Sequence, residues 1–578
     1  MSFRSTFFLK LLCVLCYLCG GGVANCRALD REAFSIPHYD LDVQVDSAQH
    51  RLGVRGKIRL HNDSPVPQKI AVLQVSSSLD WRSIKAGGQA VQFVTQPYAS
   101  DIDHTGALSE AIVTLPEPVA PGGAVEVDIA YEGVITLDAT RLTRIGTPDE
   151  IARNADWDVI DTNFTAVRGA GNIAWYPIAT EVANLSEGNS LPDVLGRWKA
   201  REAGSAVHIK ITALRADDEV PLRIVLNQCR CAEAAGATAQ ARDVIADCTF
   251  EPLGSAIPTF AIARYGVVDR SAITVFNLQN HAAAAAAYAA AAQEVESFVR
   301  DWFGVAQQKA ITADLPEADD TPFESGSLLL THLDESAAKS GLAAAHQLTH
   351  ASFHSFRPWI DEGLAHFAQA VYVEQQRGRP AALDYMAAHR SGLLKMEDPV
   401  VPSDQQAARS LVNTANDALY RGKAMCVWWM LRDMIGDSAL KKAIAAYRPA
   451  QDKEPSYMPH LIAALTQREL EWFFDDWVYR DRGLPDFKVE SAYSRPTMTH
   501  SFMLTITVDN VGSAGAEVPI RVKFSGGEVV KRLEVRGKSK STLRVETPAT
   551  PHEVTINDGS VPESDTTNNG FKIGQPPG

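Results

Sequence analysis

Apolar and polar positions alternate from the start of the mature-looking chain. In "HYDLDVQVD" (38–46) Tyr39, Leu41, Val43 and Val45 fall on one side and acids on the other. Period-two alternation predicts half-buried strands. "GVRGKIRLHND", "EAIVTLPEP" and "AVEVDIAYEG" repeat it between Pro, Gly and Asp turns, and a second set follows in "AVHIKITAL", "VPLRIVLNQ", "TFAIARYGVV" and "AITVFNLQ". Residues 32–270 therefore read as an antiparallel β saddle or sandwich. The period then changes. "HAAAAAAYAAAAQEVESFVRDWFG" (281–304) predicts a long alanine-rich helix. "KAITADLP" and "SGSLLLTHLDE" predict short strands, and helical spacing dominates from about 335 to 480. That makes 271–487 a mixed, mostly helical domain. Strand patterns return in "FMLTITVDN", "EVPIRVKFSGG", "VVKRLEVRG", "STLRVETP" and "HEVTINDG". Their spacing over 488–575 predicts a small immunoglobulin-like sandwich. The polar tail "SDTTNNGFKIGQPPG" is expected to be loose. The fold class is multidomain α+β.

Composition narrows the partners. The chain has 578 residues, 70 acidic against 55 basic, and a formal net charge of −15. A phosphate-binding surface needs the opposite sign, so no nucleic-acid partner is expected. Residues 1–28 place Arg4 and Lys10 around an apolar run ended by Gly20, Gly21 and Gly22. This is a signal-peptide pattern, too short to span a bilayer well. Export to a periplasmic or extracellular location follows, with no transmembrane span after signal removal. Cys26 offers an alternative lipid anchor, although Asn25 departs from the small residue usual before such a cysteine. Exported chains form disulfides. Cys248 has Cys229 or Cys231 as partner, and Cys426 sits in an apolar helical pattern.

The chemistry concentrates in "AAAHQLTHAS" (343–352). His346 and His350 at i and i+4 share one helix face, so both imidazoles can reach one tetrahedral Zn²⁺. A bare H-x-x-x-H is a weak signal. After eleven further residues comes Glu362 in "PWIDEGLAHF", at the start of a second helix. His₂Glu is a zinc-ligand set that leaves one position open. His354 and His366 each lie a turn beyond a ligand candidate and read as supporting or surface histidines. Trp175 and Tyr176 in "GAGNIAWYPIA" read as a packed aromatic turn.

These residues resemble the aminopeptidase N and leukotriene-hydrolase family of gluzincin metallopeptidases. "WIDEGLA" is similar to the family's "WLNEG[FL]A", and "YRGKA" to its "Y-x-K-G" with Gly422 and Lys423 transposed. "PGGAVEVDIAYEG", "FVRDWFG" and "DDWVYRDRGLPDFKVE" extend the likeness along the chain. The resemblance implies an N-terminal saddle and a thermolysin-like domain over 271–487. It implies one Zn²⁺ on His346, His350 and Glu362, with Tyr420 as oxyanion donor and a peptide or protein ligand. Three departures stand against it. Gln347 occupies the position of the general base, the spacer before Glu362 is shorter than usual, and the amine-holding "GAMEN" motif is absent. Peptide hydrolysis is then expected to be weak or lost, with Glu324 and Asp361 as the nearest replacement bases. The alternative is a non-catalytic peptide- or protein-binding protein. If Gln347 is a lost base, Gln347→Glu is expected to raise hydrolysis.

Overall fold

The computed structural model describes residues 29–187, 190–213, 222–227, 230–232, 244–250, 252–334, 337–389, 393, 410–414 and 419–574. The leader, with Cys26, lies outside the described residues. So do the side chains of Cys229 and Cys231. Cys248 is disulfide-bonded, and Cys426 is a buried free thiol.

The architecture is multidomain α+β, with N-terminal sheets, a helical middle region and C-terminal sheets. Phe34–Asp46 buries Tyr39, Leu41, Val43 and Val45 on one face, as the alternation requires. It pairs antiparallel with Arg51–Asn62 and parallel with Ala206–Ala213, so the eight-stranded sheet is mixed rather than wholly antiparallel. Strands of three sheets and three helices, the last of them Ser190–Glu202, separate the parallel partners in sequence. Crossovers of that length permit parallel pairing, whereas a hairpin cannot. Trp175 and Tyr176 are fully packed, and Trp175 donates its indole N–H to the Pro258 carbonyl at 3.1 Å.

A second, five-stranded sheet begins with Gly266–Asp269 and continues through Ile273–Asn277, Ala310–Asp314 and Leu328–Thr331. Its far edge is the short antiparallel strand Phe323–Ser325. Buried Ala284, Ala285, Ala289 and Ala292 of the alanine-rich helix Ala282–Phe303 belong to one core with the histidine helix Ala337–Ser352. Small side chains on such a face let neighbouring backbones approach. The glutamate helix Pro358–Arg377 starts with Pro358 in its first turn, where a missing N–H costs nothing. It stops at Gly378, whose φ of 83° suits glycine.

The C-terminal region stacks a three-stranded on a four-stranded sheet. Its core is continuous with the helical region, and Trp477 donates to the Gly515 carbonyl at 2.7 Å across the junction. The tail is not wholly loose: Gly570–Lys572 adds a strand beside Pro551–Ile556. Among the described residues no helix is long and apolar enough to cross a membrane.

Candidate metal centre

The histidine helix carries His346 and His350 on the face turned toward the start of the glutamate helix. Their Nε2 atoms lie 3.2 Å apart. Glu362 Oε2 lies 3.6 Å from His346 Nε2 and 3.8 Å from His350 Nε2. A tetrahedral ion with bonds of about 2.0–2.2 Å sets its ligands roughly 3.3–3.6 Å apart. The three atoms proposed from sequence therefore converge at metal-ligand spacing. Two further groups join them. Glu324, on the edge strand, places Oε2 3.1 Å from His346 Nε2. His366 packs beside His346 with ring centroids 4.5 Å apart and the rings tilted by 56°. Glu324 Oε1, His346 Nδ1 and His366 Nε2 are buried without a hydrogen-bond partner.

Unsatisfied lone pairs in a buried site are costly unless something pairs with them. A cation would. Two imidazoles and carboxylate oxygens suit zinc, whose preferences are borderline-soft. His346, His350 and Glu362 thus fit the ion that the spacing implies, while Glu324 also groups with the two histidines and His366 with His346 and Glu362.

Supporting contacts orient the cluster. Asp361 Oδ2 lies 3.5 Å from His350 Nδ1, and its Oδ1 lies 3.6 Å from His354 Nδ1. Asp361 itself is fixed by the Ser355 backbone N–H at 2.8 Å and the Ser255 hydroxyl at 3.3 Å. A carboxylate behind a ligating histidine sets its tautomer and ring angle. Burial pushes the Asp361 carboxyl up, but His350 and His354 outweigh it and hold the group well below the carboxylate range. Burial acts the same way on Glu362, and His350 again overcomes it. Burial depresses the His366 imidazole, and neighbouring His346 depresses it further, which keeps its lone pair free.

Gln347 takes a different direction. It is fully buried, and its side chain points into the five-stranded sheet. Oε1 accepts from the Tyr288 hydroxyl and the Thr312 hydroxyl, each at 3.0 Å. Nε2 donates to the Ile311 carbonyl at 2.6 Å and the Ser327 carbonyl at 3.0 Å. Two donors and two acceptor sites are the full capacity of an amide. Gln347 is a saturated core group, and it does not line the cleft. A carboxylate there would face two carbonyl oxygens, which changes the outcome expected of Gln347→Glu.

Tyr420 does line the cleft. It opens a π-helical turn, Tyr420–Ala424, ahead of Met425–Ile435, and donates its hydroxyl to the Thr414 carbonyl. Such single wide turns reposition side chains at functional sites. The cleft itself has a cavity volume of about 270 Å³. Its roof is the helix Ser190–Glu202, which the sequence reading missed. The signal was there: Val194 and Trp198 recur at i, i+4 as a buried stripe.

A second grouping of His281, Asp314 and His332 also went unnoticed in the sequence. His281 Nδ1 lies 2.7 Å from Asp314 Oδ2, and His332 Nδ1 donates to the Leu315 carbonyl at 3.1 Å.

Fold and site together define an α+β protein with a histidine–carboxylate centre under a cleft. No family model matches the chain, and no curated protein matches it. Among solved structures it is similar to an M1 zinc metallopeptidase from Deinococcus radiodurans, at 17% identity and a TM-score of 0.49, covering 79% of this chain and 97% of that one. A glutamate-to-alanine mutant of that protein bound to a Tyr-Ser-Ala substrate gives 17% identity and a TM-score of 0.48 over the same shares.

Proposed function

We propose that the chain holds one zinc ion on His346, His350 and Glu362 and uses the cleft above it for a peptide. The observation that carries this reading is the convergence of the three ligand atoms within 3.2–3.8 Å in a cleft they share with Tyr420. Zinc there would supply a Lewis acid that polarises a carbonyl and makes a nearby water more acidic. The chain's residues do the rest. Asp361 orients His350, and Tyr420 faces the bound ligand. Glu324 lines the cleft, and its Oε1 is a buried carboxylate oxygen without a hydrogen-bond partner, so any hydrolysis runs with Glu324 as proton acceptor. Gln347 takes no proton. Export is part of the same reading, because Cys248 is disulfide-bonded and disulfides persist in oxidising compartments.

A second reading is a peptide-binding protein without turnover. The saturation of Gln347 favours it, since the position next to the first histidine serves the core instead of chemistry. A mixed-peptide digest read by mass spectrometry separates the two. Turnover that is lost in His350→Ala and falls about 10²–10⁴-fold in Glu324→Gln supports hydrolysis with Glu324 as base. Turnover untouched by Glu324→Gln contradicts that role. Zinc-loaded protein that cleaves nothing leaves the binding reading.

A further inference from the structure

The roof of the cleft carries a cation with no partner. In the helix Ser190–Glu202, Leu191, Leu195 and Lys199 recur every fourth residue and line the cavity together with Glu324, His350 and Glu362. The adjoining stripe, Val194, Trp198 and Glu202, is buried, its apolar members in the N-terminal core. That stripe anchors the helix, so the lining face is fixed over the metal cluster. Lys199 is the single lysine or arginine among the described residues that line the cavity. It makes no ion pair or hydrogen bond to another described residue, and it is half-buried. Its neighbour Arg201 shows the contrast: Arg201 is tied to Glu202 at 3.3 Å and to the Ala179 carbonyl.

The cavity is therefore chemically polarised. One end holds carboxylates and imidazoles arranged around a cation position. The roof supplies apolar Leu191 and Leu195 and a free ammonium. An ammonium on an apolar wall pairs best with an anion that arrives with the ligand, because a charge-assisted bond in a partly dry site is stronger than one in water. The volume limits what can bring that anion. A cavity of 150 Å³ holds about one benzene. One of about 270 Å³ holds roughly two such groups, which is two or three residues of a peptide.

We infer that the cleft takes short peptides by their free C-terminal carboxylate, with Lys199 as the carboxylate anchor. This rests on the peptide-site reading above and adds the ligand's end group and length. Lys199 is a binding residue here, remote from any bond change.

The test is calorimetric titration of zinc-loaded full-length protein with Ala-Leu-Ala, its C-terminal amide and the hexapeptide (Ala-Leu-Ala)₂. The expected result is an acid-over-amide preference of about tenfold or more in wild type. Lys199→Met should reduce that preference to about one while leaving amide affinity unchanged. Lys199→Arg should keep most of it, which a purely structural role for the helix would not predict. The hexapeptide should bind at least about tenfold more weakly than the tripeptide. Equal binding of acid and amide by wild type, or a preference that survives Lys199→Met, overturns the anchor while leaving the peptide site standing. Equal binding of tripeptide and hexapeptide overturns the length limit. No binding of any of the three by zinc-loaded protein overturns the peptide site and the anchor together.

Discussion

Two histidine–carboxylate clusters touch the same five-stranded sheet, and they are opposite in character. In the cluster of His281, Asp314 and His332 every carboxylate oxygen is engaged. Asp314 Oδ2 accepts the Leu278 N–H at 3.0 Å and faces His281 Nδ1 at 2.7 Å, while Oδ1 accepts the Leu333 N–H at 3.0 Å. It pins three chain segments at the end of a strand. In the cluster of His346, His350, Glu362 and Glu324, the buried His346 Nδ1 and Glu324 Oε1 have no hydrogen-bond partner. Convergence of ligand-type residues is common to both. What separates a metal centre from a structural knot is which atoms the protein leaves unpaired.

Gln347 extends the comparison inside the candidate centre, because it is as saturated as Asp314. The largest expected effect therefore comes from Gln347→Leu. It strands two carbonyls and two hydroxyls in the core and should cost about 3–5 kcal/mol in chemical denaturation. Gln347→Glu should fail differently. Its carboxyl faces the Ile311 and Ser327 carbonyls and is favoured only when protonated, so its folded pKa lies above the unfolded value of about 4.3. The variant's stability is then intact below that unfolded value and lost as pH rises through the folded one. Melting curves at pH 5 and pH 8 check this. A Gln347→Glu protein that is equally stable at both and cleaves peptides faster than wild type contradicts the placement of Gln347.

Asp314→Asn should be next in size, at about 2–3 kcal/mol of stability, because an amide nitrogen replaces an acceptor for backbone N–H groups. Zinc content should not change. A fall in bound zinc would erase the distinction between the two clusters. Asp361→Asn sharpens it from the other side. Zinc affinity should fall about 10–100-fold, the usual cost of losing the carboxylate behind a ligating histidine. Competition against a chelating dye measures it, and an unchanged affinity would remove Asp361 from the centre.

The sequence carried what is local and periodic. Period-two alternation placed Phe34–Asp46 and the C-terminal strands, and i, i+4 spacing with "WIDEG" picked out His346, His350 and Glu362. What it could not carry depends on partners far along the chain. Gln347 is bonded to Tyr288 and Thr312, 59 and 35 residues away, and nothing within its own helix shows whether it faces the cleft or the sheet. The parallel pairing of Phe34–Asp46 with Ala206–Ala213 is equally non-local. Glu324 was legible only as a nearby acid, and its position 3.1 Å from His346 comes from the pairing of the edge strand Phe323–Ser325 with Leu328–Thr331. His366 read as a supporting or surface histidine, and only the fold buries it beside His346.

Zinc stoichiometry tests the central claim most directly. Wild type, His350→Ala, Glu362→Ala and His281→Ala are loaded with excess zinc, dialysed against zinc-free buffer and measured by elemental mass spectrometry, with folding checked by circular dichroism. The account predicts about one zinc per chain in wild type and His281→Ala, and loss of affinity beyond the 100-fold of a supporting residue in His350→Ala and Glu362→Ala. Metal-free wild type, or zinc that stays in folded His350→Ala and leaves with His281→Ala, would contradict it.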